Sequence, residues 1–152
     1  MSTIYISIWY GFDHSFLFLP IAPIDEQKRI VKSFKEKITQ IEKPASKAFN
    51  ECEIAMQKEL SLNIISQKLI NSSNACDNAM FEFSDLKIPD NIPDELKDNL
   101  EKIKKDMKLA YSSKAMAHFA LKKYLNNGDI NQLTAYKSEY KIAEKRIFSS
   151  AA

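Results

Sequence analysis

Apolar residues recur at steps of three and four over most of this chain, the spacing that gathers side chains on one face of an α-helix. The clearest run is Leu96, Leu100, Ile103, Met107, Ala110, Ala117, Leu121 and Tyr124, interrupted only by Lys114. It predicts a helix that opens at Pro93-Asp94-Glu95, where proline and two acids suit a helix N-terminus. Asn126-Asn127-Gly128 should close it, with the glycine in a left-handed C-cap. Asp129 then caps a last helix, with Gln132 three residues on as its capping-box partner. Leu133, Tyr136, Tyr140, Ala143 and Ile147 mark the buried face of that helix.

Upstream, Ile30, Phe34, Ile38 and Ile41 predict a helix from about Asp25. Pro44 predicts its end, because proline removes a backbone donor and clashes with the preceding turn. A new helix would then run from Ala45 to Phe83 with Phe49, Cys52, Met56, Leu60, Leu62, Ile65, Leu69, Cys76, Met80 and Phe83 on its stripe. The register Phe34, Ile38, Ile41, Ala45, Ala48, Cys52 passes straight through Pro44, so one continuous kinked helix is the alternative. Asn71-Ser72-Ser73-Asn74 should distort the helix locally at most. Ser84–Pro93, with Pro89 and Pro93, is the main loop.

Residues 1–24 differ from the rest. They hold six of the sixteen aromatics, including Tyr5, Trp9, Phe12, Phe16 and Phe18, and Ile4, Ile6 and Ile8 alternate with Tyr5, Ser7 and Trp9 in a strand's period. No second strand is evident to pair with them, so an irregular apolar arm packed on helices is the expectation. Two glycines in 152 residues leave little material for the tight turns of a sandwich or barrel. The expected fold is therefore all-α: an antiparallel helical bundle on a long two-helix hairpin, coiled-coil-like, with two shorter flanking helices. Residues 25–150 form its single domain and residues 1–24 the arm.

The net charge of +2 is small, and 20 of the 22 basic residues are lysines. Arginine is the usual bidentate reader of phosphate and guanine, so no nucleic-acid partner is expected. The longest apolar stretch, Phe16–Ile24, is too short to span a membrane and contains Pro20 and Pro23. No basic residue precedes Lys28, which favours a cytoplasmic chain over one exported through residues 1–24. Cys52 and Cys76 both fall on the apolar stripe and read as buried thiols; on one helix, 24 residues apart, they would sit ~36 Å from each other.

The catalytic inventory is thin. Ala115 and Gly11 stand where Glu would precede His118 and His14 in a diiron motif, and Lys114 and Lys122 flank His118 on its helix. No Cys-x-x-Cys pair or phosphate-cradling loop is present. Asp94, Glu95, Asp98 and Glu101 suit the helix dipole and a solvated face better than catalysis. Neither a cofactor nor a metal is expected. What the sequence does suggest is reach: the central hairpin outruns its flanking helices and leaves apolar surface near the Ser84–Pro93 loop. A non-enzymatic protein-interaction or scaffold module follows, with a protein partner or self-association through Tyr5, Trp9, Phe12, Phe16, Phe18, Leu69, Met80, Phe81, Phe83, Leu96 and Leu100. The alternatives are an exported or envelope-associated helical protein, or an apolar-ligand carrier with Trp9, Phe81 and Phe83 lining its pocket.

Overall fold

A computed structural model describes residues 20–151, and among them it contains four helices and no strand. These are α1 (Ile24–Gln57), α2 (Leu62–Asp85), α3 (Asp94–Asn127) and α4 (Ile130–Ala151). The alternating Ile4–Trp9 segment and the aromatics of residues 1–19 lie outside the described residues.

The predicted break at Pro44 does not occur; α1 runs through it. Pro44 and Gln40 both face solvent, so the carbonyl that loses its donor opens to water. On the opposite side Phe34, Ile38, Ala45, Phe49, Cys52 and Ala55 are buried as one continuous stripe. A large apolar side chain contributes ~2 kcal/mol when buried, so this stripe outweighs the ~3 kcal/mol of an interior proline.

The break comes instead at Lys58–Ser61. Glu59 adopts a left-handed φ of 51°. Its N–H donates to the Met56 carbonyl (3.1 Å), and the Leu60 N–H donates to that of Ala55 (3.1 Å). These are the two bonds of a Schellman motif, closed here by glutamate where glycine is usual. Ser61 then caps α2 by accepting from the Ile64 N–H at 3.4 Å. Leu60 and Leu62, which extend the apparent stripe across this turn, are both exposed.

The described residues therefore hold two long helices and two short ones, as expected, but the long pair is α1 and α3, each of 34 residues. The short ones are α2 and α4, with 24 and 22. In order, α1 packs on α2, α2 on α3 and α3 on α4, while α1 and α3 meet only sparsely across the core. This is an antiparallel up-and-down bundle. Ile65, Leu69, Ser72, Cys76, Ala79 and Phe83 are buried along α2 in alternating steps of four and three, and Asn71–Asn74 stays helical. The α3–α4 seam is lined by the small buried residues Ala110, Ala117, Ala120 and Ala143. Between α1 and α4 no two Cα atoms come within 8 Å, and rings fill the gap. Phe49 stacks on Tyr140 with centroids 5.1 Å apart, and the Tyr136 hydroxyl donates to the Glu53 carboxylate.

Gly128 ends α3 as expected, at φ 70°, its N–H donating to the Tyr124 carbonyl at 2.7 Å. Asp129 caps α4 through its carboxylate on the Asn131 N–H (2.9 Å). The reciprocal half of the predicted capping box is taken by another residue. The Asp129 N–H donates to Asn127 Oδ1 at 2.9 Å rather than to Gln132. At the other end Ile92 is buried, and the Ala22 N–H donates to the Asn91 carbonyl at 2.9 Å, tying the start of the described chain to the 86–93 loop.

Because an L-residue held left-handed costs roughly 1 kcal/mol, Glu59→Gly will raise stability by about that amount in urea unfolding. Gly128→Ala, whose added Cβ meets nothing within 4 Å, will lower it by a similar amount through backbone strain alone.

Candidate functional site

Lys114, the one residue that interrupts the α3 stripe, is only 2% exposed. Its ammonium lies 4.7 Å from the centroid of Phe49 and 4.8 Å from that of Tyr111, with the half-exposed Glu144 carboxylate at 3.7 Å. Rings and one carboxylate together replace the water this cation gives up. Above the Tyr111 ring its hydroxyl donates to the Glu42 backbone carbonyl at 3.5 Å. Burial pushes the Tyr111 phenol and the Glu42 carboxyl up, Lys114 partly offsetting the latter.

One turn along α3, His118 Nε2 lies 2.7 Å from Ser72 Oγ on α2. The imidazole is 4% exposed, its edge meets Phe49, and its Nδ1 has no hydrogen-bond partner among the described residues. Burial first, then Lys114, lowers its pKa to about 4, so it is neutral at pH 7. Ser72 has no exposed surface, and with Lys114 and His118 it forms a polar layer within the core. Beside it, Cys52 and Cys76 are free and buried. They lie on different helices, α1 and α2, so the single-helix separation does not apply. Burial pushes both thiols up to about 11.

Two neighbouring concavities lie along the N-terminal half of α1. Ile147 and Ser150 of α4 share a small cleft with Lys35, Ile38, Thr39, Ile103 and Met107. Nearer the N-termini of α1 and α3 is a groove of about 840 Å³, walled by Ile24 and Val31 of α1 and Leu96 of α3, with Lys28, Lys32, Lys35 and Glu36 on its rim. The groove includes Leu96 at the start of α3. Its other wall, however, is α1 and not the helix that follows it, because the break moved from Pro44 to Glu59.

The predicted partner residues divide accordingly. Leu96 is half-buried in this groove, whereas Phe83 and Leu100 are enclosed in the core and Leu69 is buried there at the floor of a second cleft. Met80 is half-buried against that core, and Phe81 is 70% exposed. Phe81 and Phe83 cannot line one pocket: Phe83 packs inward with its ring 5.6 Å from Tyr111. Tyr5, Trp9, Phe12, Phe16 and Phe18 lie outside the described residues. Ile24, Val31 and the three lysines went unrecognised. Their signal was a second spaced set on α1, Ile24, Lys28, Val31, Lys35, which becomes a wall only once α1 is known to be as long as α3. A second cleft, between α2 and α3, has about 560 Å³ and mixes Ile70, Phe119 and Leu125 with Asp77, Asn74 and Lys122 above His118.

Compared with known proteins, the chain matches no family model, no curated protein and no solved structure. Among the described residues no helix is long and apolar enough to cross a membrane.

Two outcomes follow from the buried groups. Below pH 6.5 the unfolded chain takes up a proton at His118 that the folded chain refuses until about pH 4. This histidine therefore removes up to ~3 kcal/mol of stability as pH falls through that window, and nothing above it. Glu42 and Glu53, whose carboxyls burial raises, act in the opposite sense. Urea unfolding at pH 7.5 and 4.5 will accordingly show a smaller acid loss in His118→Gln than in the wild type. At pH 8 the native chain will show no fast thiol toward Ellman's reagent, and both cysteines will react once it is unfolded.

Proposed function

We propose that the chain is a non-enzymatic helical docking protein whose α1–α3 groove receives an apolar segment flanked by acidic residues. The carrying observation is the open trough itself, in which Ile24 and Val31, seven residues apart on one face of α1, and Leu96 of α3 offer apolar walls. Such a trough fits an amphipathic helix supplied from elsewhere, the helix-in-groove mode of recognition. The rim carries Lys28, Lys32 and Lys35 against the single Glu36, so acidic flanks suit it better than basic ones. The sealed Ser72 and neutral His118 support a binding role over a catalytic one.

A fluorescein-labelled amphipathic peptide with Glu-rich flanks, titrated against the whole chain, tests this. Binding should appear in the micromolar range and weaken about tenfold or more when Lys28, Lys32 and Lys35 are changed together to Glu. These exposed changes leave the core untouched. Absence of binding at 1 mM overturns the reading. So does binding indifferent to the triple reversal.

A further inference from the structure

We infer that the α2–α3 cleft is a second binding site, which takes a small uncharged aromatic molecule of one or two rings whose hydroxyl hydrogen-bonds His118 Nδ1. It is separate from the α1–α3 groove and does not rest on the docking reading above. The polar anchor is the first support. His118 lines the cleft and is 4% exposed. Its Nε2 is held on the core side by Ser72 Oγ at 2.7 Å, and Ser72 has no exposed surface. Nδ1 is buried without a hydrogen-bond partner among the described residues, so it is the ring nitrogen with bonding capacity left to offer. A buried polar group left unpaired is costly, and a ligand that pairs it recovers that cost on binding.

Size and lining are the second. The cleft has about 560 Å³, inside the roughly 300–1,000 Å³ of small-molecule sites. Leu69 and Ile70 of α2 and Phe119 and Leu125 of α3 give it apolar walls for a ring. Because Nδ1 is buried, the imidazole turns toward the occupant to meet it, and the exposed side chain of Phe119 has room to yield.

Charge selects the chemical class. Asp77 on α2 and Lys122 on α3 are both exposed and offset each other, so the cleft favours neither an anion nor a cation. The buried Lys114, one turn before His118, already has the Glu144 carboxylate at 3.7 Å. A neutral imidazole carries one donor and one acceptor nitrogen, and a hydroxyl both donates and accepts, so it pairs with Nδ1 in either tautomer. A carboxylate only accepts and an ammonium only donates, and each would bring a charge onto apolar walls.

The test is a titration of the whole chain, isotope-labelled at its histidines and followed by NMR at pH 7, with β-naphthol as the probe. Binding should saturate with a Kd on the order of 0.1 mM. The Nδ1 resonance of His118, identified by its loss in His118→Gln, should move along the same curve. Naphthalene, which lacks the hydroxyl, should bind about tenfold or more weakly. Ala115→Phe and Ser73→Phe, which fill the cleft from half-buried positions on either helix, should each abolish β-naphthol binding. Either variant that keeps the wild-type circular dichroism serves, and groove binding of the acidic peptide should be unchanged in it. Absence of saturable binding up to ~1 mM β-naphthol overturns the inference. So does binding that leaves His118 Nδ1 unmoved, that naphthalene matches, or that persists in the filled variants.

Discussion

A helix gains 1.5 Å per residue, and antiparallel helices bury one another only over the length they share. In this chain that arithmetic governs everything else. Helices α1 and α3 have 34 residues each, and α4 has 22. Over the shared length α3 is nearly enclosed, with Ala110, Tyr111, Ser113, Lys114, Ala117, His118, Ala120 and Leu121 all buried. Toward the N-termini of α1 and α3 the 86–93 loop adds Ile88 and Ile92 to the core, and Ile24, Val31 and Leu96 line the groove.

The polar groups of the core belong to the enclosed stretch, where the helices are closest and mispairing would be most damaging. Lys114 has its Phe49, Tyr111 and Glu144 surroundings only in the observed register, and His118 meets Ser72 only there. A slip of one turn would strand a buried cation and a buried imidazole without partners, a penalty of several kcal/mol. Such groups contribute little net stability while excluding alternatives. This accounts for a lysine in an otherwise clean apolar stripe without giving it a reaction to perform.

Much of the architecture was legible in the residues. Spacing on α3 gave its limits, Gly128 and Asp129 gave the turn into α4, and the scarcity of glycine gave the helical class. The start of α2 was not legible, for a definite reason. Pro44 is the stronger local breaker, but its exposed position let burial on the far side override it. Glu59 carries no local sign of a left-handed cap, and Leu60 and Leu62 disguised the turn as stripe. That single displacement exchanged which helix was long. Of the groove's lining, only Leu96 stood out in the residues, as part of the α3 stripe. Its α1 wall could not be anticipated, because length is a property of where a helix ends and not of any residue lining it.

The unequal seams of the bundle carry a mechanical consequence. Small residues are buried on both α3 and α4, whereas stacked rings span the distance between α1 and α4. The molecule is thus an open ring of helices, packed in succession from α1 through α2 and α3 to α4, that Phe49 with Tyr140 and Tyr136 with Glu53 close through side chains alone. Truncating either stacked ring would leave that one seam unfilled while the other three keep their packing.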